Sequence, residues 1–164
     1  MLYLLDANTL IDANRDYYPI GQVDDYWSWL VELGHAGRIK IQSDIFTEFR
    51  DGKTDALSEW AKQQEVRDAL LLDEATDVSR VRRVIGEGYA DNLTDTEIEE
   101  IGADPFMIAA ALADPGNRVV VSTEKSKPSL ERQKRKVPDV CHTFGIRCIH
   151  QFEFIKELNF RTGR

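Results

Sequence analysis

Two acidic residues directly follow short runs that are typical of buried strands. Asp6 comes after the apolar run Leu2–Leu5, which is too brief for a helix and is predicted to form the first, central strand. Glu124 comes just after the β-branched run Arg118–Ser122, a second predicted strand. In open parallel sheets the functional crevice lies beyond the carboxyl ends of the strands. Asp6 and Glu124 are therefore predicted to point into one crevice.

Two further acids are predicted in the first turns of helices that can reach the same rim. Asp104 precedes Pro105, a pairing typical of a helix N-terminus, with Asp104 as the N-cap and the apolar body 106–113 behind it. Glu48 falls on the second turn of a helix for which Ser43 can serve as N-cap. Taken singly, Asp104 suits a helix cap and Glu48 a solvated helix position. The order and spacing of all four acids favour a shared site.

Four carboxylates in one cleft repel one another and raise each other's pKa unless a cation offsets their charge. Mg²⁺ prefers a few carboxylates plus waters, and a pair of such ions about 3.5–4 Å apart can stabilise both oxygens of a phosphodiester displacement. With a metal-activated water as nucleophile, no serine, cysteine or histidine nucleophile is needed. The acids therefore predict phosphodiester chemistry dependent on Mg²⁺ or Mn²⁺.

A basic segment follows the fourth acid. The net charge of −8 argues against unspecific binding to nucleic acid, so any contact with RNA must depend on a local patch. Such a patch is available within twelve residues, and it is either a solvated loop or an RNA-binding surface. It comprises Lys125, Lys127, Arg132, Lys134, Arg135 and Lys136.

The length of 164 residues and the ordinary composition predict a single globular domain over residues 1–164. No apolar run is long enough to span a bilayer and the N-terminus lacks the pattern of a signal peptide, so we expect a cytoplasmic protein without membrane contact. Cys141 and Cys148 are expected to be reduced, since two cysteines are too few for a disulfide framework. Two other acids, Asp44 and Asp139, remain candidates for the site.

Strand and helix patterns alternate along the chain. Helices are predicted over 24–33, 54–72, 77–90, 138–145 and 152–158, and further strands over 39–41 and 146–149. This alternation predicts an α/β fold in three layers, α/β/α, around a mostly parallel sheet of about four to five strands.

In order along the chain, the segments around the acids resemble the motifs of PIN-domain nucleases: Leu4-Leu5-Asp6-Ala7-Asn8-Thr9, a helical acid at Glu48, Ala103-Asp104-Pro105-Phe106-Met107-Ile108-Ala109, and Val119-Val120-Val121-Ser122-Thr123-Glu124. Other segments are similar to a prokaryotic PIN-like toxin branch long known only as uncharacterised: Tyr17-Tyr18-Pro19, Trp27-Ser28-Trp29-Leu30, Trp60-Ala61, Lys136-Val137-Pro138-Asp139-Val140-Cys141 and Gly145-Ile146-Arg147-Cys148-Ile149. The resemblance extends over essentially the whole chain.

The resemblance implies Mg²⁺- or Mn²⁺-dependent cleavage of single-stranded RNA, often by a toxin that a cognate antitoxin inhibits, and it makes a homodimer possible. Asp6, Glu48 and Asp104 would be metal ligands. Glu124 would be the fourth acid, at a position where PIN enzymes commonly have aspartate. Asn8 would support Asp6 by hydrogen bonding, and Thr123 would orient the last acid or the substrate.

Two alternatives stay open at this stage. A haloacid-dehalogenase-like phosphatase opens with a strand followed by Asp-x-Asp-x-Thr, which Asp6, Asn8 and Leu10 match only in part, because Asn8 replaces the second acid. A degenerate PIN-like module would bind RNA or a protein without cutting. The presence of all four acids argues against the second alternative.

Overall fold

The computed structural model, which describes residues 1–163, contains one four-stranded sheet. The strands are β1 (Leu2–Leu5), β2 (Ile39–Lys40), β3 (Arg118–Ser122) and β4 (Arg147–His150), in the spatial order β2-β1-β3-β4. All three strand pairs are parallel, with Leu4 opposite Lys40 on one side and Val120 on the other. The predicted α/β fold with helices flanking a parallel sheet is confirmed.

Ten α-helices connect and cover the strands in the described part of the chain. They are α1 (Ala7–Asp12), α2 (Asp24–His35), α3 (Ser43–Asp51), α4 (Ala56–Ala61), α5 (Gln64–Leu70), α6 (Val78–Arg83), α7 (Asp95–Ile101), α8 (Asp104–Leu112), α9 (Val137–Thr143) and α10 (Gln151–Glu157). Two π-helical turns, Ala13–Tyr17 and Val84–Tyr89, continue α1 and α6. No helix in residues 1–163 is both long and apolar enough to cross a membrane.

The sheet is buried on both faces. On one face Phe154 of α10 packs edge-on against Tyr3 of β1 and contacts Trp29 of α2, with ring centroids 5.7 and 5.5 Å apart. The almost wholly apolar helix α8 contacts β3 and is surrounded by α3, α6 and α9. Valines 119 to 121 of β3 are at most 1% exposed, as expected of a parallel strand covered on both sides.

The strand order places a topological switch point between β1 and β3. The chain leaves β1 toward β2 and leaves β3 toward β4, on opposite sides of the sheet. In open α/β sheets the crevice at such a point, beyond the carboxyl ends of the strands, is the usual ligand site. Asp6 and Glu124 follow these two strands, so the fold brings them to this crevice.

Several predicted element boundaries were wrong. The helix expected over 54–72 is interrupted at Gln63, whose extended backbone (φ −65°, ψ 135°) separates α4 from α5. Ser43 is the first residue of α3 rather than its cap, because the Gln42 side chain accepts the hydrogen bonds of the capping position. Asp104 likewise begins α8, with Ala103 as the preceding N-cap residue. Helix α7 was not predicted.

Candidate active site

Asp6 is fixed at the end of β1 by bonds to the neighbouring strand. Its backbone N–H donates to the Val121 carbonyl of β3 at 3.0 Å. Its side chain is buried, and Oδ2 accepts a hydrogen bond from Ser122 Oγ at 3.1 Å. The backbone N–H of Asn8 lowers the pKa of Asp6 without forming a regular capping hydrogen bond. The carboxylate therefore has a defined orientation in the crevice.

Ser122 also fixes Glu124. The backbone N–H of Glu124 donates to Ser122 Oγ at 3.1 Å, and Glu124 Oε2 accepts from the Val137 backbone N–H at 2.7 Å. Val137 begins α9, so Glu124 satisfies one of the free N–H groups at that helix terminus. One buried serine hydroxyl thus joins the acids that follow β1 and β3.

Glu48 and Asp104 are brought together by the turn before α8. Glu48 Oε1 accepts from the Ala103 backbone N–H at 3.1 Å, and Asp104 is the next residue. Gly102 has a φ of +63°, and a Cβ placed there would lie 3.2 Å from Glu48 Oε1. Glycine therefore allows both the left-handed turn and the close approach of the glutamate.

Asp104 is the most electrostatically strained of the four acids. Within residues 1–163 its carboxylate has no hydrogen bond and no ion pair to the protein. Burial first, and then the charges of Asp6, Glu124 and Glu48, raise its pKa to about 8. Burial also raises the pKa of Asp6 to about 6, with smaller contributions from Glu124 and Glu48 that partly cancel against the Ser122 hydrogen bond. The four acids thus share one electrostatic neighbourhood.

The free oxygens of these acids suit a hard cation. Asp6, Glu48 and Glu124 each use one carboxylate oxygen in a bond to the protein, and Asp104 uses none. The remaining oxygens are the donor type that Mg²⁺ and Mn²⁺ prefer. No group of three or more Asp, Glu, His or Cys side chains in residues 1–163 is already arranged to hold a metal ion. The donor set fits such an ion chemically, but the structure presents no closed metal cage.

A cavity of about 350 Å³ opens beside Asp104 and Glu124. The basic segment also lines it, through Lys134, Arg135 and Lys136. Tyr89, at the end of the second π-helical turn, also borders it. The cavity therefore places positive side chains beside two of the four acids.

The basic side chains predicted to contact RNA have different roles in the structure. Arg132 binds Glu97 at 2.8 Å and Arg135 donates to the Asp139 carbonyl at 3.2 Å, so both hold the segment against the protein. Lys125 and Lys127 are exposed and do not line the cavity. Lys134 and Lys136 line it, and neither side chain has an ion pair or hydrogen bond in the described chain.

The two acids that the sequence left open, Asp44 and Asp139, have other partners. Asp139 accepts hydrogen bonds from Ser126 Oγ and from the Lys127 backbone N–H, which fixes the start of the basic segment. Asp44 accepts from Gln42 Nε2 at 2.8 Å at the start of α3. Neither contributes to the raised pKa of Asp6 or Asp104.

The supporting residues proposed from the sequence lie close to the acids. The Asn8 side chain is exposed, and it is the backbone of Asn8 that acts on Asp6. Thr123 is half-buried, and its side chain has no hydrogen bond among the described residues. Ser122, to which the sequence analysis assigned no supporting role, makes the contacts that orient the acids.

Replacing Ser122 with alanine should weaken the site more than the fold. The variant leaves the buried Asp6 Oδ2 and the Glu124 N–H without their partner, so we expect the free energy of unfolding to fall by about 1–3 kcal/mol. Because the serine orients two acids, its loss should also lower the RNA cleavage predicted from the sequence by about 10–100-fold. Urea denaturation and cleavage assays measure the two effects, with the exposed Ser129→Ala as control. Wild-type values in both assays would contradict this role.

The fold and these contacts together define a class of protein: a parallel α/β protein with an acidic cleft at the switch point of its sheet. The chain belongs to the family described as a domain of unknown function (DUF4411), whose model matches residues 3–162. No curated protein and no solved structure gives a match. The description of this family states no activity.

Proposed function

We propose that this protein is an endoribonuclease that cleaves single-stranded RNA with the aid of Mg²⁺ or Mn²⁺ held by Asp6, Glu48, Asp104 and Glu124. The proposal rests mainly on the carboxylate of Asp104, which has acidic neighbours and no hydrogen-bond donor in residues 1–163. A largely buried carboxylate with no donor from the described chain, beside three other acids, is unfavourable unless a cation offsets its charge. A carboxylate with a strongly raised pKa in a cleft is typical of a functional site.

The four acids would hold the cation, and Ser122 orients two of them. Asp6, which is 3% exposed, and Asp104, whose carboxylate has no hydrogen bond from residues 1–163, would provide free oxygens to the cation, and Glu48 and Glu124 would complete the set of acids. When bound, the cation supplies charge neutralisation and Lewis acidity toward a phosphodiester. Ser122 keeps Asp6 and Glu124 at a fixed separation, which is what a site built on strand ends requires.

The substrate class is inferred from the charges beside the acids and from the resemblance to PIN-domain nucleases. Lys134 and Lys136 line the cavity next to Asp104 and Glu124 and are free to bind phosphates of a strand that crosses the cleft. Because the whole chain has a net charge of −8, these local cations must provide the attraction. The preference for a single strand rests on the resemblance alone.

The resemblance extends the proposal to biological role. A toxin of this kind would be inhibited by a cognate antitoxin that inserts a basic residue into the acidic cleft. Lys134 and Lys136 already line the cavity, so the basic residue of the antitoxin would have to reach Asp104 and Glu124 beside them. Loss of inhibition on replacing that basic residue of the antitoxin would identify the contact.

The direct test uses the purified protein and a mixed-sequence single-stranded RNA that carries a labelled phosphate at its 5′ end. We expect shortened labelled fragments with Mn²⁺ or Mg²⁺ and none with EDTA. Asp6→Asn should lower the rate by about a hundredfold or more, because asparagine has nearly the same shape but lacks the charge. Asp73→Asn, which changes an exposed aspartate outside the cleft, is the matched control and should not affect the rate.

The same assay separates the rival functions. A phosphatase would release the labelled phosphate without shortening the RNA, and a binding module would retain intact RNA. Either outcome, or equal rates for wild type and Asp6→Asn, would overturn the proposal.

A further inference from the structure

Three of the four acids in the cleft accept a hydrogen bond from the protein, and one does not. Ser122 donates to Asp6, the Ala103 N–H to Glu48 and the Val137 N–H to Glu124. Asp104 has no corresponding donor in residues 1–163. Carboxylates that bind metals are themselves usually hydrogen-bonded, because a second partner fixes their orientation. A donor for Asp104 is therefore missing from the set.

A buried donor without a partner lies beside it. Tyr89 is 7% exposed, and its hydroxyl is one of two buried side-chain groups with no hydrogen-bond partner in the described chain. Burial raises the pKa of Tyr89 well above its usual range, and the charge of Asp104 is the next cause. Both residues line the same cavity. A buried hydroxyl without a partner is uncommon and calls for a functional reason.

The local backbone holds Tyr89 in this position. Tyr89 ends the π-helical turn Val84–Tyr89, and such turns occur frequently at functional sites. A Cβ at Gly88 would lie 2.8 Å from Val140 Cγ1, so glycine lets the turn pack tightly against α9. Arg135 donates a hydrogen bond to the Gly88 carbonyl from the basic segment. The backbone next to Tyr89 is thus held from two sides, while the Tyr89 hydroxyl remains unpaired in the described chain.

We propose that Tyr89 is a positioning residue whose hydroxyl donates a hydrogen bond to the Asp104 carboxylate when the four acids hold their divalent cation. The inference rests on the proposed function for the cation and for the role of Asp104. It assigns to Tyr89 the part that Ser122 has for Asp6. Both groups line the same cavity, and each lacks any other partner in the described chain.

Tyr89→Phe is a sharp test because it removes only the hydroxyl. The chain supplies a matched control: Tyr26, which is 0% exposed, has the other unpaired buried hydroxyl. Tyr26 lies in the aromatic core, with its ring 5.7 Å from that of Trp29 and no acid among the causes of its raised pKa. Tyr26→Phe therefore controls for the loss of a buried hydroxyl in general.

The experiment measures Mn²⁺ binding by calorimetry, thermal unfolding of the metal-free protein, and kcat and KM for RNA in all three proteins. For Tyr89→Phe we expect Mn²⁺ affinity to fall by about tenfold and kcat by about 10–100-fold, with KM for RNA unchanged. Its metal-free Tm should not fall, because the hydroxyl has no bond to lose. Tyr26→Phe should match wild type in Mn²⁺ affinity, kcat and KM.

The possible results distinguish this inference from the proposed function. If wild type binds Mn²⁺ and Tyr89→Phe binds it equally well, Tyr89 is not the donor although the nuclease proposal stands. If Tyr89→Phe weakens Mn²⁺ binding but wild type cleaves no RNA, the positioning role stands and the nuclease proposal fails. Absence of Mn²⁺ binding in wild type overturns both. A lower metal-free Tm in Tyr89→Phe than in Tyr26→Phe would show a merely structural role.

Discussion

Replacing Asp104 with asparagine should abolish RNA cleavage and, in the metal-free protein, increase stability at alkaline pH. The loss of activity, by about a hundredfold or more, follows because the variant lacks a negatively charged carboxylate ligand of the proposed cation. The gain in stability follows because burial and three neighbouring acids make its charged form unfavourable. Asparagine has a similar shape and no charge. A residue that improves function at the expense of stability is typical of an active site.

The stability of the folded protein should depend on pH through Asp104. The pKa of Asp104 is raised in the folded protein to about 8, against about 3.9 for an unfolded aspartate. A raised carboxyl pKa means that the folded state holds the proton more tightly, so the stability is fully present below about pH 4 and is lost as the pH rises from there through about pH 8. Asp104→Asn avoids this loss. We expect it to be about 1–3 kcal/mol more stable than wild type at pH 8, with a smaller difference at pH 5 because less of the loss has accumulated there.

Urea denaturation in EDTA at pH 5 and pH 8 measures this difference. Asp73→Asn is the control and should match wild type at both pH values, because Asp73 is exposed and outside the acid cluster. An Asp104→Asn variant that is less stable than wild type at pH 8 would contradict the electrostatic argument. An increase of the same size at both pH values would show that packing, not charge, is responsible.

Mn²⁺ should stabilise the wild-type protein strongly. A ligand present at about 100 times its dissociation constant adds about 2.7 kcal/mol to the free energy of unfolding. For a protein of this size that corresponds to an increase in Tm of about 5–10 °C. Because the acids are less protonated at higher pH, the increase should be larger at pH 8 than at pH 5.

The variants test whether this stabilisation arises in the cleft. Asp104→Asn should lose most of the increase in Tm, whereas Asp73→Asn should keep it. Differential scanning fluorimetry with and without Mn²⁺ gives both values. Equal increases in wild type and Asp104→Asn would place the bound Mn²⁺ outside the proposed site.

The sheet was predictable because its signals are local. Leu2–Leu5 and Arg118–Ser122 are short apolar runs with an acid just beyond them, and both form the strands expected of them. The position of Asp6 and Glu124 at one edge then follows from parallel pairing alone. The sequence thus placed two of the four acids through the geometry of the sheet, without information on distant contacts.

The contacts that orient the acids were not predictable in the same way. Ser122 and Asp6 are 116 residues apart in the chain, so no local pattern links the hydroxyl to the carboxylate. The bond from the Ala103 N–H to Glu48 joins residues 55 apart. Such pairs appear only after the strands and helices have been assembled. The unpaired hydroxyl of Tyr89 is a property of packing and has no sequence signal.

Two further differences from the predicted structure concern helices. Helix α7 begins with a capping box in which Thr94 and Glu97 bond reciprocally, a four-residue pattern that was present in the sequence. Helix α7 has few apolar residues, so its hydrophobic periodicity is weak. The break between α4 and α5 lies at Gln63, a residue with no strong preference for ending a helix, and the tertiary packing decides it.

The most direct test of the four-acid cleft is anomalous X-ray diffraction from crystals of the protein grown with Mn²⁺. We predict an anomalous-difference density peak for a manganese ion bound by carboxylate oxygens of Asp104 and Asp6, with Glu48 or Glu124 as a further ligand. Crystals of Asp104→Asn should show no such peak. Crystals saturated with Mn²⁺ that show no peak at these acids, or a peak that persists in Asp104→Asn, would contradict the proposal that the cleft is a metal site.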